Sequence, residues 1–181
     1  MKPLSLLVAL CCLCNSALAA PASVPASYVL EHTEVRDIRA QALKRDYQLY
    51  VALPDSYQQG SKRYPVLFVV DANYGFPIVR NIAQRLNKHA GMEEVVVVGL
   101  SYANGDGGVY SRRRDYTPTT PRKHDYRSDM PGRQPAFGEA AAYGKFLSEE
   151  VFPFIASHYR VNMRRKVFIG HSYGSLLGLQ F

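Results

Sequence analysis

Along residues 46–53 apolar and polar positions alternate. Tyr47, Leu49, Val51 and Leu53 fall on one side, Gln48 and Tyr50 on the other. A period of two with one apolar face predicts a half-buried antiparallel strand. Residues 28–38 are strand-like too, and Pro54-Asp55 and Gln59-Gly60-Ser61 mark turns. From Pro65 the pattern changes. Pro65 to Val70 and Val95 to Leu100 are continuous apolar runs, as in strands buried on both faces of a parallel sheet. Between them Ile78, Val79, Ile82, Ala83 and Leu86 recur at helical spacing. They predict a helix over 77–90 with one buried stripe, Pro77 in its first turn and Gly91 as its stop. Strand, helix and strand together make a right-handed crossover unit.

A loop rich in Gly, Asp, Arg, Tyr and Pro follows from Ser101 to about Pro135. Loops of this length in compact domains are usually functional or disordered. A helix is predicted from about Gly138 to Tyr159, with Phe146, Leu147, Val151, Phe154 and Ile155 buried and Pro153 kinking or dividing it. Lys166-Val167-Phe168-Ile169 reads as a third buried strand. It runs into Gly170-His171-Ser172-Tyr173-Gly174 and the start of a new helix. The expected class is α/β: a mostly parallel sheet with two antiparallel leading strands, incomplete after the strand that carries this pentapeptide.

Composition changes the picture mainly at the N-terminus. Lys2, an apolar run from Leu4 to Leu13 and the small residues around Ala17-Leu18-Ala19 predict a cleaved secretory signal over residues 1–20. An uncleaved anchor is the alternative. Residues 21–27 read as a flexible leader, and 28–181 as the N-terminal part of one domain. All three cysteines, Cys11, Cys12 and Cys14, lie in the signal. The mature chain then has no disulfide, cysteine nucleophile or thiolate metal site. A secreted chain without disulfides fits a bacterial envelope enzyme, with the periplasm as the expected location. No nucleic-acid-binding motif stands out, no membrane span is expected after signal cleavage, and no signal of oligomeric state is present.

The net charge is +7. From Arg112 to Arg133, seven Lys and Arg face three Asp, a local excess of +4. Such a run is most often a solvated loop. The sharper alternative is a surface that attracts acidic substrates, with Arg112, Arg113 and Arg114 at its start.

The chemistry centres on Gly170-His171-Ser172-Tyr173-Gly174, a G-x-S-x-G nucleophile elbow. The serine sits on a tight strand-to-helix turn, and side chains two residues either side would collide, so glycines flank it. Ser172 is the candidate nucleophile. A structural Gly-rich turn is the bland alternative. Asp71-Ala72-Asn73-Tyr74-Gly75 follows the first buried strand, where α/β hydrolases place one oxyanion-hole amide. The N–H of Ala72, or else of Asn73, is the candidate there, and the N–H of Tyr173 is the other; the bland alternative is an ordinary strand-to-helix turn, which Asp71 would cap or brace.

With these residues the sequence resembles the esterase D-like esterases: periplasmic siderophore-trilactone esterases, enterochelin esterases, S-formylglutathione hydrolases and feruloyl esterases. The resemblance rests on Tyr64-Pro65-Val66-Leu67-Phe68-Val69-Val70-Asp71, Val98-Gly99-Leu100, Arg112-Arg113-Arg114-Asp115-Tyr116-Thr117-Pro118, Phe146 to Ile155, Tyr159-Arg160-Val161 and the elbow. It implies an α/β-hydrolase fold and ester hydrolysis through an acyl-enzyme on Ser172, with no metal or organic cofactor and a small-molecule ester as substrate. Where many relatives have glycine after the Asp71 position, this chain has Ala72. In this fold the triad acid and histidine follow the serine, and the sequence ends nine residues after Ser172. His32, His89, His124, His158 and His171 lie in the wrong places for the base. The expectation is therefore the front part of a serine esterase, or, alternatively, a truncated chain without activity.

Overall fold

The computed structural model describes residues 25–122 and 125–180. The expected signal and its cysteines lie outside the described residues. Five strands form one sheet in the order β1-β2-β4-β3-β5: β1 (Thr33–Ala40), β2 (Arg45–Ala52), β3 (Tyr64–Val69), β4 (Val96–Leu100) and β5 (Val161–Ile169). β1 pairs antiparallel with β2, and β2 antiparallel with β4. β3 runs parallel to both β4 and β5. The class is α/β, as expected.

The apolar runs behave as predicted. Val66, Phe68 and Val70 join one core with Val96, Val98 and Leu100, while Val69 and Val97 join another on the opposite face. The alternating strand also turns its apolar face inward, with Tyr47, Leu49 and Val51 at most 1% exposed. Helix α1 (Ala72–Ala90) covers the second face. On the first lie α2 (Gly108–Tyr116), α3 (Ala140–Phe146), α4 (Phe152–His158) and α5 (Tyr173–Gly178).

Several expectations are corrected. β1 begins at Thr33, after a turn in which His32 adopts a φ of 56°. α1 starts at Ala72, capped by Asp71, so Pro77 lies within the helix. The stripe on the sheet is Ala72, Phe76, Val79 and Ala83, whereas Ile78, Ile82 and Leu86 are 55%, 54% and 41% exposed. The helix packs on the sheet through the Ala72, Phe76, Val79 and Ala83 face, which turns three of the five predicted stripe positions outward. The predicted loop from Ser101 contains α2. This helix lacks an apolar stripe because it buries Ser111, Arg114, Asp115 and Tyr116 instead. The helix before β5 is interrupted by a wide turn at Leu147–Val151, with Pro153 at the start of α4. β5 is nine residues long rather than four, and at the sheet's edge Val167 is 53% exposed rather than buried.

Candidate active site

The site is built where β5, β3 and β4 end. β5 runs into Gly170, and α5 begins at Tyr173. Between them Ser172 has φ 56° and ψ −118°, a region that L residues avoid. The turn is closed by Gly174 N–H to the His171 carbonyl (2.9 Å) and Ser175 N–H to the Ser172 carbonyl (2.9 Å). The Ser175 hydroxyl donates back to the Gly170 carbonyl (3.1 Å).

Both glycines are required by close approach. A Cβ on Gly170 would lie 2.5 Å from the backbone of Gly174, and a Cβ on Gly174 would lie 2.7 Å from Val70 Cγ2. The elbow therefore presses directly on the end of β3. Ser172 is exposed there, and its hydroxyl has no partner among the described residues. The Tyr173 N–H is likewise unpaired among the described residues.

The loop after β3 is organised by Asp71. It is 1% exposed and left-handed, with φ 54° and ψ 40°. Its Oδ1 accepts from the Tyr102 hydroxyl (2.8 Å) and Arg112 Nε (3.0 Å). Its Oδ2 accepts from the Tyr74 hydroxyl (3.1 Å) and Arg112 Nη2 (3.1 Å). The Asp71 N–H donates to the Tyr116 hydroxyl (3.3 Å). Burial, reinforced by the Asp71 carboxylate, raises the pKa of Tyr74, Tyr102 and Tyr116. These phenols stay protonated. The Asp71 carbonyl accepts from Tyr74 and Gly75 (3.1 and 2.9 Å), leaving the N–H groups of Ala72 and Asn73 without a partner among the described residues. These are the orphan donors of a helix start. Ala72 is fully buried against Gly99, where a Cβ would lie 2.8 Å from its own.

Arg112 links the two halves. Nη2 also approaches the His171 carbonyl (3.4 Å), and the guanidinium lies over the Tyr173 ring (5.2 Å). Burial opposes its charge, but the bonds to Asp71 outweigh this and raise its pKa. The result is a strained serine, unpaired amides on two neighbouring loops and a fixed cation beside them.

Residues 40–180 match the esterase family described as "Putative esterase". The chain belongs to this esterase family. It is 31% identical over 159 residues to the ferri-bacillibactin esterase BesA of Bacillus subtilis, covering 85% of this chain and 54% of that protein. It is 28% identical over 138 residues to the apo-salmochelin esterase of Escherichia coli O6:H1, covering 75% and 42%. The crystal structure of an IroE-like serine hydrolase from Shewanella oneidensis is similar with a TM-score of 0.68 at 27% identity, covering 82% of this chain and 45% of that one. The chain thus spans about half the length of the curated relatives it matches.

In this member of the esterase family the three arginines have separate tasks. Arg112 is tied to Asp71. Arg113 donates to the Arg127 carbonyl (2.8 Å) and lies over the Tyr126 ring (4.9 Å). Arg114 is buried between Asp115 (2.8 Å) and Asp106 (2.6 Å). They stand on α2 and not on an open loop, so a loop of free cations is replaced by one structural and one strapping arginine and one cation at the elbow. Asp71 does brace the loop, and what sequence reasoning missed is that Arg112 and two tyrosines are its partners. His32 and His158 are occupied by Asp55 and the Phe154 carbonyl. His89 is exposed near the end of α1, and His124 lies outside the described residues. Among the described residues no histidine hydrogen-bonds to Ser172, and no cluster of His, Cys, Asp and Glu is arranged to hold a metal.

Proposed function

We propose that the protein is a serine carboxylic ester hydrolase with Ser172 as nucleophile. The observation that carries this is the backbone of Ser172, strained at φ 56° and ψ −118° on a glycine-flanked strand-to-helix elbow. Strain of this kind is retained where it positions a reacting group. Ser172 Oγ attacks the ester carbonyl carbon, and the resulting oxyanion is met by the Tyr173 N–H and by the N–H of Ala72 or Asn73. Preorganised donors at this position supply much of the rate enhancement in acyl transfer. Arg112, whose charge is paired with Asp71, braces the elbow through the His171 carbonyl. The alcohol leaves, and water cleaves the acyl-enzyme. The serine proton passes to a base that the described residues do not supply. The substrate proposed is a siderophore-type ester, since the two curated relatives are named for such compounds. The secretory signal read in residues 1–20 supports action in the periplasm. Among the described residues no helix is long and apolar enough to cross a membrane.

The test is hydrolysis of short p-nitrophenyl esters by the protein and its Ser172→Ala variant, each freed of contaminating esterases. Activity that falls below a few per cent in the variant is the expected result. Retained activity removes Ser172 from its role, and no activity in either protein supports the inactive alternative.

A further inference from the structure

β1 closes one side of the sheet, and β2 is its one strand neighbour among the described residues. The two stay in register over all eight residues of β1, without a bulge or a proline. The Leu53 N–H donates to the His32 carbonyl (2.9 Å), and on the far side of β2 the Ser101 N–H donates to the Gln48 carbonyl (3.0 Å). Backbone groups alternate in direction along an antiparallel strand. Glu34, Arg36, Ile38 and Ala40 therefore turn theirs to β2. Thr33, Val35, Asp37 and Arg39 turn theirs outward, and these have no backbone partner among the described residues. Val35, between them, is 56% exposed. Such a row of unpaired groups is a template for another strand.

Charges on an edge usually prevent pairing, and β1 carries Glu34, Arg36, Asp37 and Arg39. Against a copy of itself, their effect depends on register. A two-fold axis through the sheet sets each residue opposite the one equally far from the centre. Centred on Glu34, Arg36, Asp37 or Arg39, it puts like charges face to face. Centred on Val35, it puts Glu34 opposite the copy's Arg36 and Arg36 opposite the copy's Glu34. These fall in the pairs whose side chains stand closer together. Val35 then meets Val35, and Asp37 meets the uncharged Thr33. The outward groups of Thr33, Val35 and Asp37 all find partners, giving about six backbone bonds at two per pair. A centre at Ile38 also opposes unlike charges, Asp37 and Arg39, but it forms only about four such bonds. Its next pair, Val35 with Gln41, is blocked because the Gln41 N–H already donates to the Glu150 carboxylate (3.2 Å). At the other edge of the sheet Arg164, Arg165 and Lys166 stand together on β5, and a two-fold about its middle gathers cations.

We propose that β1 pairs antiparallel with β1 of a second copy about a two-fold axis at Val35, joining two sheets into one. With only Thr33–Asp37 contributed by each strand, the interface is small and of the class that associates weakly. β2 separates β1 from the strands that end at the elbow, so the pairing leaves that site clear and does not depend on Ser172.

The test is sedimentation velocity of the protein from micromolar to millimolar concentration. A reversible monomer–dimer equilibrium, weakened by salt, is the expected result. Arg36→Glu and Glu34→Arg each oppose like charges and should weaken the dimer by roughly tenfold or more. Combined in one chain they oppose unlike charges again, and dimerisation should return to within about threefold of the original. Val35→Pro removes an N–H that only the dimer uses, in a place where edge strands tolerate proline. It should abolish the dimer and leave cooperative melting intact. If the charge variants do not melt cooperatively, Val35→Pro decides alone. A protein that is monomeric throughout, or a dimer that survives Val35→Pro and is therefore held elsewhere, overturns the proposal. So does a folded double variant that fails to regain the dimer, since this register requires the recovery.

Discussion

Arg112 grips Asp71 with two parallel hydrogen bonds, Nε to Oδ1 at 3.0 Å and Nη2 to Oδ2 at 3.1 Å. The pair ties the loop after β3 to the turn after β5, because Nη2 also approaches the His171 carbonyl. A planar fork is a property of arginine that lysine lacks. Under the proposed hydrolysis, Arg112→Lys is expected to lower kcat by about 10²-fold with a smaller change in KM. Asp71→Asn should act in the same direction by releasing the guanidinium. Steady-state kinetics on a neutral p-nitrophenyl ester checks both, and a rise in KM with kcat intact would reassign Arg112 to ground-state binding.

Arg114 is expected to matter for stability and not for choice of ester. It is 6% exposed and faces Asp115 and Asp106. Asp115 also accepts from Arg45 and the Tyr47 hydroxyl. Removing Arg114 leaves Asp115 with Arg45 and Asp106 with Arg133, so neither charge is stranded and the loss is that of charge-assisted hydrogen bonds, roughly 2–3 kcal/mol. Arg114→Ala should lower stability by that order in urea denaturation. Arg113→Ala, which loses an arginine–aromatic contact nearer the surface, should lower it by about 1 kcal/mol.

Gly170→Ala and Gly174→Ala test the elbow. Each added methyl would stand well inside contact distance of its neighbour, for Gly170 a backbone. Such overpacking destabilises by about 1–3 kcal/mol. It should also displace Ser172. With Ser172 as the proposed nucleophile, labelling by a fluorophosphonate is expected to fall in both variants by more than their loss of folded protein.

The buried tyrosines give a pH dependence. Tyr74, Tyr102, Tyr116 and Tyr143 have folded-state pKa values raised above 10.0, first by burial, and burial with the Glu34 bond pushes Tyr159 up to about 12. The folded state thus holds these protons more tightly than the unfolded chain. Their contribution is complete below pH 10 and is lost as pH rises through the folded values. The urea midpoint should be flat across pH 8 to 9 and fall above pH 10. Tyr102→Phe and Tyr116→Phe together should make that fall shallower.

β2, β3 and β4 were legible because periods of two and unbroken apolar runs follow directly from which faces are buried. The elbow was legible because its spacing is imposed by sterics within five residues. α2 was not, since a helix that buries Ser111, Arg114 and Asp115 carries no amphipathic signature. Nor was the length of β5, whose Arg164 and Arg165 are exposed at the sheet's rim and read as non-strand. Asp71 and Arg112 both drew notice in the sequence, each for a different task. Nothing local announces that residues 41 positions apart will pair, because the crossover that joins them is a property of the sheet.

The strand order also bears on when the strained turn at Ser172 comes into being. β1 meets β2 through a hairpin that pairs Ala40 with Arg45, whereas β5 joins β3 by pairing Val66 with Lys166. Closing so long a loop requires more chain entropy to be given up before any contact repays it. Ser172 is expected to adopt its strained conformation only after that closure, since in the folded state Gly174 packs against Val70. During refolding, far-UV ellipticity should therefore recover ahead of fluorophosphonate labelling, and the delay should lengthen when Val66 or Phe68 is truncated.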